Sequence, residues 1–534
     1  MSAPVNDDEN SSHQMYAPKR LREHTRIPRA AQLRIDSPQI SPAQPQGDRQ
    51  QEYGSRYSEE GLENEVRQRV YEREAIPLPQ PRRRGFSVLM WISGLAVAAA
   101  CIAVLIVMFA TSFGPLWDTA NKAPASTIRG MAAASGAQQP SSAQGQPPQL
   151  SAFARHFDEN PVQGVTENQI RFGMSAPFSG AAKELGQNMR LGIDAAFAVA
   201  NAKSGIHGRQ LRLVVADDGY EPSRTGETMK QLYEQDRIFG IVGNVGTPTA
   251  VVALPYALEH RMLFYGAFTG AGLLRRDPPD RYVFNYRASY AEETDAVVRY
   301  LVKVRRIRPD QIAVFAQQDS YGDAGFAGVA KAMRSLQGGD ESTILRLNYK
   351  RNTVDVDDAV AQLKKSRIPI RAVIMVPAYR AAARFIEKTR DLYPGMIYTS
   401  VSFVGSTALA NELMLLGPKY AAGVIVTQVV PAVEGHSSVV LDYKSALAKY
   451  VPGESPDYVS LEGYLVGSVL IEGLRRSGPQ LDTERLVDTL ENLRDFDMGL
   501  GTPVSFGRTE HQAVHKVWGT ELNAAGHYQA IDLE

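Results

Sequence analysis

Residues 238–249 read IFGIVGNVGTPT, and this stretch decides the fold. A short apolar run containing the β-branched Ile238, Ile241 and Val242 ends at Gly243. A loop follows, and Thr247-Pro248-Thr249 then opens the helix-compatible segment AVVALPYALEH. That order is a buried strand running into a helix. Thr247 suits the N-cap and Pro248 the first helical position, so the free N–H groups of the first turn face the space above the strand. With the positive end of the helix dipole they attract a carboxylate or another anion. An ordinary strand-to-helix connection of a doubly wound sheet reads the same way.

The same beat continues on both sides of this stretch. Segments 169–174, 210–216, 238–242 and 262–265 read as strands, separated by helical stretches at 189–201, 225–236 and 249–260. A second series has strands at 311–316, 344–348, 372–376 and 396–399, with helices at 291–304, 324–336, 356–366 and 381–391. Strands alternating with helices are the signature of α/β architecture with mostly parallel sheets. Two such blocks predict two lobes with a cleft at the carboxyl ends of their strands. Residues 514–522 and 528–532, around a turn at 523–526, predict a closing antiparallel hairpin.

The chain before this domain is different in kind. Residues 1–84 are rich in Pro, Gln, Ser, Arg and Glu and poor in aliphatics, a composition that predicts a disordered tail. One island, SEEGLENEVRQRVYER, puts Leu62, Val66 and Val70 on one helical face; it reads as a partner-binding helix or as a transient solvated one. Residues 86–110, FSVLMWISGLAVAAACIAVLIVMFA, carry no charge and are long enough for a bilayer of roughly 30 Å. Arg82-Arg83-Arg84 precede them, so a transmembrane helix at 85–111 is expected with the N-terminus cytoplasmic and the C-terminal domain periplasmic or extracellular. Arg83-Arg84-Gly85-Phe86 and Ala98-Ala99-Ala100-Cys101 also have the look of export signals, but a product cleaved at Cys101 would begin on the apolar run IAVLIVMFA. An uncleaved anchor in the inner membrane is therefore the preferred reading. Residues 112–162, rich in Ala, Ser, Gln and Pro, predict a flexible linker with a span of roughly 35 to 40 Å.

Composition narrows the function classes. In the 534-residue chain Lys+Arg and Asp+Glu both total 58, so no net charge argues for nucleic acid. The single cysteine, Cys101, lies in the apolar run, which excludes disulfides and cysteine-based metal sites from the domain at 163–534. No Walker A loop, His-Glu-x-x-His or Gly-x-Ser-x-Gly occurs, the histidines form no ligand cluster, and neither an enzyme nor a cofactor is expected.

The domain from about residue 169 to residue 533 resembles the type 1 periplasmic solute-binding proteins, specifically the leucine/isoleucine/valine-binding group that feeds ABC importers. The resemblance rests on Ala176-Pro177-Phe178-Ser179-Gly180, Gly205-Ile206-His207-Gly208, Asp217-Asp218-Gly219-Tyr220-Glu221-Pro222, Gly243-Asn244-Val245-Gly246-Thr247, and Tyr321-Gly322 with Gly325, in that order. It implies the periplasmic-binding-protein type 1 fold, with lobe 1 at about 168–287 and 431–500 and lobe 2 at about 290–427 and 503–534. The chain is expected to cross between lobes near 286–289, 427–431 and 500–503.

Carried over position by position, the resemblance implies that Thr247 holds a ligand carboxylate. Ala267 then offers a backbone carbonyl to an ammonium, and Thr269 donates to the carboxylate. Leu185 stands where the family places a shielding aromatic, and Tyr321 and Tyr379 match tyrosines of the second lobe. Where branched-chain binders carry a second-lobe acid for the ligand ammonium, this chain aligns Ser402, with no acid before Glu412. A buried ammonium without a partner is costly. Three alternatives stand: the alignment slips, an acid arrives from elsewhere, or the ligand is not an ordinary α-amino acid. With the apolar Phe268 beside the site, carboxylates lacking a free α-amino group, or carrying it modified, are expected over leucine, isoleucine and valine.

Two functions follow from the resemblance. The first is a membrane-anchored receptor that captures an amino acid or related small carboxylate for ABC-type uptake, with a permease as its membrane partner. The alternative is a sensor or scaffold that signals to a cytoplasmic partner through the N-terminal tail.

Overall fold

The computed structural model describes residues 162–336 and 341–534. The tail, the apolar segment and nearly all of the linker expected from the sequence lie outside the described residues. Among the described residues no helix is long and apolar enough to cross a membrane.

The first lobe is built on β1 (Gln169–Ala176), β2 (Gln210–Asp217), β3 (Gly240–Val242), β4 (Leu263–Tyr265) and β5 (Val283–Phe284). These pair in parallel in the order β2-β1-β3-β4-β5. Strand order reverses at β1, the position where doubly wound sheets open a crevice at their carboxyl ends. Helices α1 (Lys183–Asn201), α2 (Pro222–Lys230) and α3 (Thr247–Glu259) connect the strands.

After β5 the chain enters the second lobe through α4 (Tyr290–Arg299), which starts on a capping box. The Ser289 hydroxyl accepts from the Glu292 N–H, and the Glu292 carboxylate accepts from the Ser289 N–H at 2.6 Å. The second lobe contains β6 (Ile312–Gln317), α5 (Ser320–Ser335), β7 (Leu345–Tyr349), α6 (Asp357–Lys365), β8 (Ala372–Val376) and α7 (Tyr379–Arg390). It continues with β9 (Ile397–Ser400), α8 (Ser406–Leu416), the short α9 (Pro418–Ala421) and β10 (Val424–Gln428). β6, β8 and β10 are buried along their whole length, as strands covered on both faces are; β8 is apolar throughout, while β6 ends in Gln317 and β10 in Thr427-Gln428.

The chain then returns to the first lobe as α10 (Ser438–Tyr450), α11 (Tyr458–Ser477) and α12 (Thr483–Glu491). α11 packs on α1 at close quarters, because both helices carry glycine at the crossing. A Cβ on Gly192 would stand 1.9 Å from the Ser460 carbonyl oxygen, and one on Gly463 would stand 2.3 Å from that of Met189. β11 (Trp518–Leu522) and β12 (Tyr528–Ile531) then close a seven-stranded sheet in the order β12-β11-β10-β9-β8-β6-β7. β11 is antiparallel to β10 and to β12, the closing hairpin expected from the sequence.

The third passage comes later than the expected 500–503. Phe506 packs edge-on against Phe284 and Tyr265 of the first lobe at 5.3 and 6.5 Å. Residues 512–514 run beside the end of β5, with the Ala513 N–H donating to the Asn285 carbonyl at 2.8 Å and the Val514 N–H to that of Tyr286 at 3.0 Å. The burial of Phe506 thus holds this segment on the first lobe until after Val514. Two short strands went unpredicted, β5 and β10, the first because two residues carry no period and the second because its apolar run was read as a crossing.

Candidate functional site

The loops after β3 and β4 are stitched together by backbone. Val245 and Phe268 form a parallel bridge, the Phe268 N–H donates to the Asn244 carbonyl at 2.7 Å, and the Gly246 N–H donates to the Phe268 carbonyl at 3.2 Å. This stitching places the Thr247 and Thr269 hydroxyls 2.7 Å apart, both buried. The helical assignment at Thr247 needs a correction: α3 begins at Thr247 itself, and the N-cap is Gly246 at φ 105°. A side chain is excluded at Gly246 because its Cβ would lie 2.2 Å from the Tyr220 ring. Freed from capping duty, the Thr247 hydroxyl bonds Thr269 instead of its own helix. The Ala267 carbonyl accepts from the Thr269 N–H at 2.8 Å, within the same loop.

Tyr290 joins this pair from the start of α4. Its N–H donates to the Gly270 carbonyl at 2.8 Å. Burial pushes its phenol up to about 12, against the pull of the Arg287 charge and the hydroxyls of Thr269 and Thr247. Arg275 fastens the same loop from behind, donating to the carbonyls of Thr269, Ala271 and Arg287 at 3.0 to 3.2 Å and to the Gln512 side chain at 2.6 Å.

From the second lobe come Tyr321, Ser402 and Phe403. The Phe403 ring packs against Phe268 at 5.1 Å and Tyr220 at 6.1 Å on the first lobe, and against Tyr321 at 4.5 Å and Tyr290 at 6.4 Å on the other side. All five rings are buried. Leu185 and Tyr379 meet three residues further on, where a Cβ on Gly405 would approach them to 2.6 and 3.8 Å. Burial also raises the Tyr379 phenol to about 12. The sequence-predicted residues therefore gather in two places, Thr247, Ala267 and Thr269 beside Tyr290, and Leu185 with Tyr379 at Gly405, while Tyr321 reaches the first group by packing on Tyr290 at 5.4 Å and Ser402 through Arg287 over Phe268.

The least expected finding lies at Ser402. Its hydroxyl accepts a hydrogen bond from Arg287 Nη2, and its N–H donates to Glu293 Oε2 at 2.8 Å. The same Glu293 oxygen accepts from the Thr427 hydroxyl, and Glu293 Oε1 lies 3.4 Å from Arg287 Nη2. Glu462, from α11 on the first lobe, faces Arg287 Nη1 at 3.7 Å. The guanidinium lies 4.7 Å from the centroid of the Phe268 ring, within cation–π range. Burial pulls the Arg287 pKa down, but Glu462 and Glu293 outweigh it and hold it above its ordinary value. Burial raises the Glu462 carboxyl to about 7, with Arg287 pulling against that rise. Two acids, Glu293 and Glu462, thus stand around Ser402 together with a resident cation, Arg287.

Sequence reasoning missed Arg287, Glu293, Phe403, Tyr290 and Glu462. A signal did exist for Glu462, a lone acid inside the apolar run YVSLEGYLVGSVLI, since a charge there must be paired. Polar contacts join the lobes at the cleft edge. Arg351 donates to Glu221 at 3.0 Å, Asn352 to Glu221 at 2.6 Å and to the Gly219 carbonyl at 3.1 Å, and Gln317 to the Tyr220 hydroxyl at 3.3 Å. Among the described residues no cluster of three or more His, Cys, Asp or Glu could hold a metal ion.

Comparison with known proteins gives a consistent picture. A family model described as periplasmic binding protein matches residues 169–527. The Leu/Ile/Val-binding protein homolog 3 of Brucella melitensis is 25% identical over 336 residues, spanning 62% of this chain and 86% of that protein. The crystal structure of a possible leucine/isoleucine/valine-binding protein from Rhodopirellula baltica is 40% identical at a TM-score of 0.66, spanning 70% of this chain and 99% of that one. A branched-chain amino acid ABC transporter protein from Thermus thermophilus, solved with bound valine, shares the fold at 16% identity and a TM-score of 0.58, spanning 68% of this chain and 96% of its own.

Proposed function

Because this chain belongs to the periplasmic binding protein family, we propose that it captures a small carboxylate-bearing solute, an amino acid or a relative of one, between its two lobes and passes it to an ABC-type importer. The observation that carries this reading is the buried Thr247–Thr269 hydroxyl pair, 2.7 Å apart at the first turn of α3. Two hydroxyls and the free N–H groups of a helix start are donors gathered where one carboxylate can accept from several at once. Thr247→Ala in the full-length chain is expected to weaken ligand binding by about 1.5 to 3 kcal/mol, the range for a hydrogen bond to a charged group, read by titration calorimetry. Unchanged affinity would remove the pair from the site. Loss of the fold is not the expected route, since the Thr247 hydroxyl bonds side chains of the site itself, Thr269 and Tyr290.

We also propose that the domain is held at the inner membrane by residues 86–110, with its N-terminus in the cytoplasm. The uncharged run and the three arginines before it support this. A reporter fused at the C-terminus is expected to be active only outside the cytoplasm, on a protein that keeps its N-terminal tail. A soluble species beginning near Ser126 would overturn it.

A further inference from the structure

We propose that Arg287 sets the class of the ligand: the solute presents an acceptor oxygen, as in a 2-oxo acid, to the guanidinium beside Ser402, and an α-ammonium is disfavoured there. This rests on the carboxylate-capture reading and goes past it, because it concerns the group next to the carboxylate.

The position aligned with an ammonium-binding acid is Ser402, and its hydroxyl is engaged by Arg287 Nη2. The guanidinium comes from the segment joining the lobes and lies against Phe268, the residue between Ala267 and Thr269. A group bound next to a carboxylate at Thr247 and Thr269 therefore has a permanent cation for a neighbour, since a guanidinium does not give up its proton in a protein.

Charge and hydrogen bonding point the same way. Glu293 is committed to the Ser402 N–H, the Thr427 hydroxyl and Arg287, while Glu462 faces Arg287 Nη1 at 3.7 Å with no hydrogen bond to its Oε1. An added ammonium would meet the like charge of Arg287 and would have to compete with it for Glu462. Donors, by contrast, are in surplus. Arg287 Nε and Nη1 are buried and make no hydrogen bond among the described residues, although Nη1 keeps its ionic contact with Glu462, whose Oε1 makes no hydrogen bond either. A buried donor without an acceptor is costly, so a ligand that supplies oxygen lone pairs here relieves a penalty that an ammonium, a donor only, would leave in place.

The test compares matched pairs on the full-length chain by calorimetry, leucine against 4-methyl-2-oxopentanoate and phenylalanine against phenylpyruvate. The 2-oxo acid is expected to bind at least tenfold tighter in each bound pair. Arg287→Lys keeps a cation for Glu293 and Glu462 but loses the forked donors, and it is expected to lower 2-oxo acid affinity at least tenfold. Equal affinities within a pair, or tighter leucine, overturn this inference while leaving carboxylate capture intact. Tighter leucine whose advantage disappears in Glu462→Gln would assign the ammonium to Glu462 instead. No binding by any of the four overturns the inference together with the capture reading for this ligand class.

Discussion

Arg287→Met should lower the free energy of unfolding by about 3 to 5 kcal/mol, the cost of breaking a buried ion pair by removing one partner. The guanidinium is the cation between Glu293 and Glu462, and all three side chains are buried almost completely. Methionine fills a similar volume but removes the cation in ion-pair contact with both carboxylates, leaving Glu462 the more distant charge of Arg275 and Glu293 its hydrogen-bond donors. The lost attraction is larger than any gain from burying a more apolar side chain, because desolvation of the two carboxylates is no longer offset. Denaturant unfolding followed by circular dichroism reads the change. Adding Glu462→Gln to Arg287→Met should restore part of it by removing one of the two stranded charges, so the two substitutions should be strongly non-additive. A loss below about 1 kcal/mol for the single variant would mean that the triad relaxes into water, and that the closed arrangement around Ser402 does not depend on it.

Phe403→Ala is the second large effect expected, at about 3 to 5 kcal/mol for truncating a fully buried phenylalanine. Its ring is the one that touches aromatics of both lobes, Tyr220 and Phe268 on one side and Tyr290 and Tyr321 on the other. The loss should therefore be felt in lobe contact as well as in packing. Hydrogen exchange at the Gly246 and Phe268 amides is expected to stay slow, since these are held within the first lobe by backbone bonds to Phe268 and Asn244. Exchange at the Ser402 amide, which donates to Glu293 within the second lobe and directly precedes the truncated ring, should speed up as water reaches the parted face. Equal acceleration at all three would show general loosening rather than parting of the lobes.

These two predictions concern residues that a reading of the chain alone passed over, and the reason is physical. Thr247 could be singled out from the residues themselves because it sits at the end of an apolar strand run, and strand ends are marked locally by periodicity and turn residues, whereas Thr269 came only with the resemblance. The strand-to-helix order at 238–249 was legible for the same local reason, and the positive φ of Gly243 and Gly246 is added by the structure. The N-cap was misplaced by one residue because Thr and Gly both serve that position. The choice of Gly246 is made by the Tyr220 ring, a neighbour that the local pattern does not name. At Ser402 the alignment showed a missing acid and could go no further.

What the amino-acid order determined by itself is the alternation of strand and helix, the two-lobed α/β class, and the helix start with its donors above β3, because each of these depends on residues within one or two turns of chain. What only the tertiary structure decided is the electrostatic character of the cleft. Arg287 lies on a lobe-crossing segment, Glu293 on the helix after it, Glu462 on a helix that returns from the second lobe, and Phe403 on a loop after β9. A charge in water has no preferred partner at such separations along the chain. Burial removes that freedom, since a carboxylate taken out of solvent must find a cation or a donor, and the packing of α11 on α1 leaves Arg287 within ion-pair distance of both Glu293 and Glu462, with Arg275 acting on them from further off.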